Sequence, residues 1–372
     1  MMKPVFLACS VAAVLMAAFP AVLSAQTGTF NADGPYITYL SDSTARVVTV
    51  DAGGNISTDM TAAPKPGDTF NVTEHSGRWT FDVTLHESVR PEWKRDASQK
   101  IFVTSDPHGR MDCLVTLLQR WGVVDASLDW SFGSDQLVVI GDVCDRGEDA
   151  TQIYWLLYQL EAQAEAAGGH VTFVYGNHEP MILSGDYRYS KPKYTALADS
   201  LGTTYRELMG PDTELGRWLA TRNTMEVIGD NLFVHAGIGR DLLDKNLEIP
   251  EINERASHVL FMTKDERKAD SELNYFLVRT YGPIWYRGLV YSRKKYRPAS
   301  KATVLEALDR YDVSRIYVGH TIFRNVKKFY GGLVTDVNVD NAANQAAGRS
   351  RALLIDGDKR YVVNDTEIVK EF

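Results

Sequence analysis

Leu137-Val138-Val139-Ile140-Gly141-Asp142-Val143-Cys144-Asp145-Arg146-Gly147 is the stretch on which the reading of this chain turns. Its first four residues are apolar without a break, as in a strand covered on both faces, whereas a strand with one wet face would alternate. The run then stops at a glycine, and carboxylates and a guanidinium follow at once. The same grammar recurs along the chain. Ile101 to Thr104 leads into Ser105-Asp106, Val171 to Tyr175 into Gly176-Asn177, Leu232 to Val234 into His235, and Ile316 to Val318 into Gly319-His320. Amphipathic stretches read as helices lie between several of these runs: Met111 to Arg120, Ala150 to Ala167, Leu215 to Arg222 and Ala302 to Tyr311. Strands alternating with helices predict an α/β layered domain, whose ligands collect beyond the carboxyl ends of the strands. All five polar clusters are therefore expected on one edge.

Taken singly, each cluster says little, because an Asp after a strand often caps a helix and a lone His usually packs in a core. Their conjunction says more. Asp106, His108, Asp142, Asn177, His235 and His320 offer the oxygen and imidazole donors that first-row divalent ions prefer.

Asp106-Pro107-His108-Gly109, Gly141-Asp142 through Asp145-Arg146-Gly147, Gly176-Asn177-His178-Glu179, His235-Ala236-Gly237 and Gly319-His320-Thr321 resemble, in order, the signature blocks of calcineurin-like metallophosphoesterases. The Asp-Arg-Gly and Asn-His-Glu forms resemble the phosphoprotein-phosphatase branch. Gly185 to Tyr189 and Gly282 to Gly288 are similar to segments of the bacterial Shewanella-like phosphatases. The resemblance covers about residues 100 to 322 and implies two packed mixed β-sheets flanked by helices. It also implies two divalent ions, of manganese, iron, zinc or cobalt. Asp106 and His108 would bind the first, Asp142 would bridge both, and Asn177, His235 and His320 would complete the second. Two ions held about 3.5–4 Å apart yield a hydroxide near neutral pH that attacks the phosphoryl group in line. By the same resemblance Arg146 and Arg287 hold the phosphate, together with Asn177. His178 protonates the leaving oxygen and Asp145 orients His178. Arg188 and Tyr189, close after the Asn-His-Glu block, are candidates for the rim of the substrate pocket.

Departures from the superfamily's other branches narrow the reading. Asp145 stands where purple acid phosphatases place a tyrosine ligand, so no iron-tyrosinate colour is expected. Glu179 follows His178 where many nucleases have Asp, and Ile322 stands where they finish with His. Pro107 is a less comfortable departure, since proline fixes φ and removes a donor inside the first block. The reading is a phosphomonoesterase acting on a phosphoserine, phosphothreonine or phosphotyrosine side chain or on a small phosphomonoester. A dinucleoside polyphosphate hydrolase shares nearly all these blocks, and a non-catalytic binding protein with a vestigial site is the reading from another class.

Outward from the catalytic region, residues 1–25 read as a secretory signal: Lys3, an apolar run from Val5 to Phe19, and small residues before Gln26. Export, to a periplasm, is the expectation. Residues 26–95 alternate short strands such as Tyr36 to Leu40, Ala45 to Val50 and Trp79 to Leu85 with Gly-, Asp- and Pro-rich turns, which predicts a small all-β module. Residues 96–372 form the catalytic domain, with 338–351 a polar loop. A formal charge of −8 in 372 residues argues against a general nucleic-acid binder, and no later run is long enough for a membrane span. Cys113 and Cys144 read as buried packing residues, His75, His86, His170 and His258 as surface or packing residues, and Trp121, Trp155 and Trp218 as core.

Overall fold

The computed structural model describes residues 30–345, 347 and 350–372, so the expected signal at 1–25 lies outside the described residues. The chain opens with β1 (Asp33–Ser41), β2 (Thr44–Val50) and β3 (Ile56–Ala62), an antiparallel sheet in that order, followed by the hairpin β4 (Thr69–Thr73) and β5 (Thr80–Thr84). Strands β6 (Lys94–Arg95), β7 (Lys100–Thr104), β8 (Gln136–Ile140), β9 (His170–Val174), β10 (Met225–Ile228), β11 (Asn231–Val234), β12 (Arg315–Val318), β13 (Lys327–Phe329), β14 (Val334–Asp336), β15 (Ala352–Asp356), β16 (Lys359–Val363) and β17 (Ile368–Glu371) come next. They build two six-stranded mixed sheets. One runs β13-β14-β12-β11-β10-β6 and the other β17-β16-β15-β7-β8-β9.

The unbroken apolar runs owe their composition to burial on two faces. Ile101, Val103, Val138, Ile140 and Val174 of one sheet pack with Phe233, Tyr317 and Val337 of the other, while Phe102, Leu137, Val139, Val171 and Phe173 point to the helical layer. Alternate residues of one strand therefore serve two different cores, and the polar side chain that β9 buries mid-strand, Thr172, donates its hydroxyl to Glu226 (2.9 Å). The helical layer over β7-β8-β9 includes α1 (Met111–Arg120) and α2 (Ala150–Ala166), within a residue of the expected bounds. The other two expected helices span Glu214–Ala220 and Lys301–Arg310.

Helix α2 departs from the amphipathic expectation: twelve of its seventeen residues are buried. The N-terminal sheet covers the flank that water would otherwise wet. Trp155 Nε1 donates to the Pro35 carbonyl (3.0 Å), Gln152 Nε2 to the Ala32 carbonyl (3.0 Å), and the Tyr36 hydroxyl lies 3.0 Å from that of Thr151. Tyr36, Ile37, Val48 and Val83 accordingly share one apolar cluster with Trp155 and Trp218. A helix enclosed on all sides is apolar all round. Trp155 and Trp218 are core as expected, whereas Trp121 is half-buried, its Nε1 donating to the Asn364 carbonyl (2.7 Å). No helix among the described residues is long and apolar enough to cross a membrane.

Candidate metal centre and active site

β7, β8, β9, β11 and β12 end in Asp106, Asp142, Asn177, His235 and His320 respectively, one to three residues past each strand. β7, β8 and β9 run parallel, as do β11 and β12, so the loops meet at one end of the paired sheets. The turns that bring them together are tight. Asp106, His108, Asp142, Asp145, Arg146 and His320 all have φ between 45° and 69°, a left-handed conformation that costs about 1 kcal/mol or more per non-glycine residue. A Cβ on Gly141 would sit 2.5 Å from the Gly176 nitrogen and 2.7 Å from His235 Nδ1, which is why glycine closes that strand.

Pro107 costs this loop nothing. The amides of Asp106, His108 and Gly109 donate to the carbonyls of Gly141, Asp142 and Val143 at 3.1, 3.0 and 2.7 Å, and the amide that proline lacks is not part of that ladder. Each imidazole is aimed by its other nitrogen: His108 Nδ1 lies 2.8 Å from the Cys144 carbonyl and His235 Nδ1 2.8 Å from that of Ile140. Both rings thereby turn Nε2 inward.

Asp142 is the hub. Its Oδ1 accepts the His178 amide (2.9 Å), and its Oδ2 faces Nε2 of His235 (3.1 Å), His178 (3.8 Å) and His108 (3.9 Å). Asn177 Oδ1 stands 3.2 Å from His235 Nε2, and Asp106 Oδ2 4.0 Å from His108 Nε2. Donor atoms of Asp142, His235 and His320 lie within 4.8 Å of one another, as do those of His108, Asp142 and His178. All six expected ligands are thus brought together.

Burial would push the Asp142 carboxyl up, yet His235 and His178 beside it hold it well below the usual carboxylate range. Burial pushes Asp106 up to about 6 and His108 down to about 4. His235 is held at about 9, because Asp142 and Asp106 outweigh its burial. Burial, with His235 and Arg287 alongside, keeps His320 well below its usual value. Its Nε2 is buried and has no hydrogen-bond partner. A neutral imidazole with an idle lone pair beside two buried carboxylates is a donor set that fits divalent cations.

Around this hub sit the groups expected to act on substrate. His178 Nδ1 is 2.6 Å from Asp145 Oδ2, and Ser190 donates its hydroxyl to the other oxygen of Asp145. Burial lowers the His178 pKa, but Asp142 and Asp145 overcome it and the net shift is upward. Arg146 is exposed, its guanidinium 5.8 Å from the Tyr189 ring, beside a cleft of about 190 Å³ lined by Asp106, His108 and Asn338. Arg287 donates to the His320 carbonyl (2.9 Å) and Thr321 Oγ1 (3.1 Å), so it belongs to the centre. Arg188 is exposed and pairs with Asp186 at the mouth of a neighbouring cleft that Asn177 and Trp285 also line. Tyr189 packs 5.3 Å from the His178 ring.

Several residues at this centre had no role in the sequence reading. Glu179 is fully buried and its carboxylate accepts the amides of Asp142 (3.1 Å), Val143 (2.8 Å) and Gly176 (2.7 Å) and the Tyr154 hydroxyl (3.0 Å), tying the β8 and β9 loops together. Residues 338–351 are not simply a polar loop. Asn338 is 1% exposed and its Nδ2 donates to Asp106 Oδ2 (2.8 Å), and Asn341–Gln345 is a helix. The signal was present in Val334 to Asp336, a sixth strand running into polar residues.

Residues 99–323 match the family described as calcineurin-like phosphoesterase. The chain belongs to that family. It is 27% identical over 305 residues to Shewanella-like protein phosphatase 2 of Arabidopsis thaliana, covering 68% of this chain and 74% of that protein. With Shewanella-like protein phosphatase 1 of Plasmodium berghei it shares 28% identity over 224 residues, 60% of this chain and 61% of that one. A crystal structure of a cold-active protein-tyrosine phosphatase from a psychrophilic Shewanella superposes with a TM-score of 0.79 at 28% identity, over 91% of this chain and 99% of the other. This calcineurin-like phosphoesterase is a metal-dependent phosphatase, and the family's two divalent ions find their donors in the cluster around Asp142.

Proposed function

We propose that the enzyme hydrolyses phosphomonoesters, with the phosphorylated side chain of a serine, threonine or tyrosine, or a small phosphomonoester, as substrate. Asp106, His108 and Asp142 would hold one ion, and Asp142, Asn177, His235 and His320 the other. When bound, the pair supplies a nucleophilic oxygen at neutral pH and neutralises charge on the phosphoryl group. The observation that carries the monoester reading is the 2.6 Å contact between His178 and Asp145, with Arg146 free beside it. Asp145 holds the Nδ1 proton of His178, which leaves Nε2 to deliver its proton to the departing alkoxide or phenoxide. Arg146, paired with no carboxylate among the described residues, supplies a guanidinium fork to the phosphoryl oxygens, and Arg287, held beside His320, supplies a second. The cold-active Shewanella structure, described as a protein-tyrosine phosphatase, supports including phosphotyrosine. The leader-like residues 1–25 support placing this chemistry outside the cytoplasm, in a periplasm.

A substrate panel tests the reading. Manganese-loaded enzyme should cleave p-nitrophenyl phosphate and at least one of a phosphotyrosine peptide, a phosphoserine peptide or a sugar phosphate. Turnover confined to a dinucleoside tetraphosphate would overturn it.

A further inference from the structure

We propose a third divalent-cation site, separate from the pair at Asp142 and formed by Glu74, His75 and Asp149. Glu74 and His75 follow β4 in the hairpin turn, and Asp149 stands at the N-cap of α2. Glu74 and Asp149 are 1% and 2% exposed, while the His75 side chain is 32% exposed.

Each carboxylate divides its oxygens between two tasks. Glu74 Oε2 is occupied by the Ser76 amide (3.1 Å), the Ser76 hydroxyl (2.6 Å) and the Arg78 amide (3.2 Å), and Asp149 Oδ1 by the His75 amide (2.9 Å). Glu74 Oε1 and Asp149 Oδ2 converge on one atom, His75 Nδ1, at 2.6 and 2.9 Å, and Asp149 Oδ1 lies 3.0 Å from the same nitrogen. An imidazole nitrogen carries at most one proton, so it satisfies one of these carboxylates and leaves the other buried and short of a donor.

A second observation is independent of that count. An aspartate at a helix N-cap ordinarily accepts one of the first free amides, yet Asp149 makes no such bond and is turned toward His75 instead. The cationic side chain nearby, Lys193, pairs with Asp33 at 3.4 Å. Burial also pushes the Asp149 carboxyl up to about 6, against the pull of His75 and Lys193.

One imidazole nitrogen and two carboxylate oxygens within 4.8 Å of one another form a mixed donor set suited to zinc or manganese, with the half-open His75 flank left for water. A divalent ion there neutralises both carboxylates together. It would also staple the hairpin to the loop between β8 and α2, which carries Arg146 and ends in Asp149, and the Asp149 amide in turn donates to the Gly109 carbonyl of the loop after β7 (3.0 Å).

Elemental analysis of the full chain, loaded with zinc and passed through gel filtration, is the test. His75→Ala, a change at a half-exposed turn, should bind one equivalent fewer than wild type, and Glu74→Gln should behave alike. Asp142→Asn should lose metal from the catalytic centre and keep the His75-dependent equivalent. That difference is read however many ions the Asp142 centre holds. Equal zinc content in wild type, His75→Ala and Glu74→Gln would overturn the proposal.

Discussion

Asp142 separates the work of its two oxygens: one fixes the His178 amide, the other faces three imidazoles. His178 is therefore positioned by backbone and by Asp145 at once, and its role can be isolated from the metal centre. Replacing His178 with Ala should slow alkyl phosphates, whose leaving oxygen needs a proton, by roughly 10²–10⁴-fold, and activated nitrophenyl esters far less. Steady-state kinetics on both substrates would show it, and equal losses would remove His178 from the proton-donor role. At this scale the sequence was legible where a polar residue ends an apolar run, as for Asp106, Asp142 and His235. It was opaque at Asn338 and Glu179. Glu179 matters through bonds to the amides after β8, far away along the chain, and Asn338 through its bond to Asp106, with only the short strand Val334–Asp336 to signal it.

Among the elements, α2 shows how tertiary context overrides local pattern. Tyr154, Trp155 and Leu156 are consecutive and all fully buried, which no amphipathic helix allows; it becomes possible because β1 and the β4–β5 hairpin cover the outer flank. Trp155 reaches across to the Pro35 carbonyl, so Trp155→Ala removes a large buried ring and leaves that acceptor unpaired. A loss of about 3–5 kcal/mol is expected from urea unfolding. A loss below about 1 kcal/mol would mean that this interface is not tightly packed. The bounds of α1 and α2 were readable almost to the residue, although only α1 keeps an amphipathic pattern. Strand β3 was not: its sequence Ile56–Ala62 is polar and almost wholly exposed, an edge held by pairing to β2 and marked by no apolar signal.

For the molecule as a whole, acid should act in part through His170. Burial, aided by Arg95 and Arg222, lowers His170 from 6.5 to about 3. Since the folded value lies below the unfolded one, the neutral ring's contribution is complete above pH 6.5 and is lost progressively as pH falls toward 3. By pH 5 the loss from this residue should reach about 2 kcal/mol. Urea unfolding at pH 7 and pH 5 should show a smaller drop for His170→Gln than for wild type, and identical drops would show that His170 does not carry the effect.

The fold class followed from strand runs and the resemblance of the blocks, whereas the joining of the N-terminal strands to α2 did not, because it depends on which surfaces meet in space. The central claim is that Asp142 organises a two-ion hydrolytic centre. The most direct measurement is p-nitrophenyl phosphate turnover together with metal content for Asp142→Asn, with circular dichroism confirming the fold. Activity should fall by more than about a hundredfold, since residues that merely orient metal ligands already cost 10–100-fold, and bound metal should fall with it. A folded Asp142→Asn enzyme with wild-type turnover and metal content would contradict the claim.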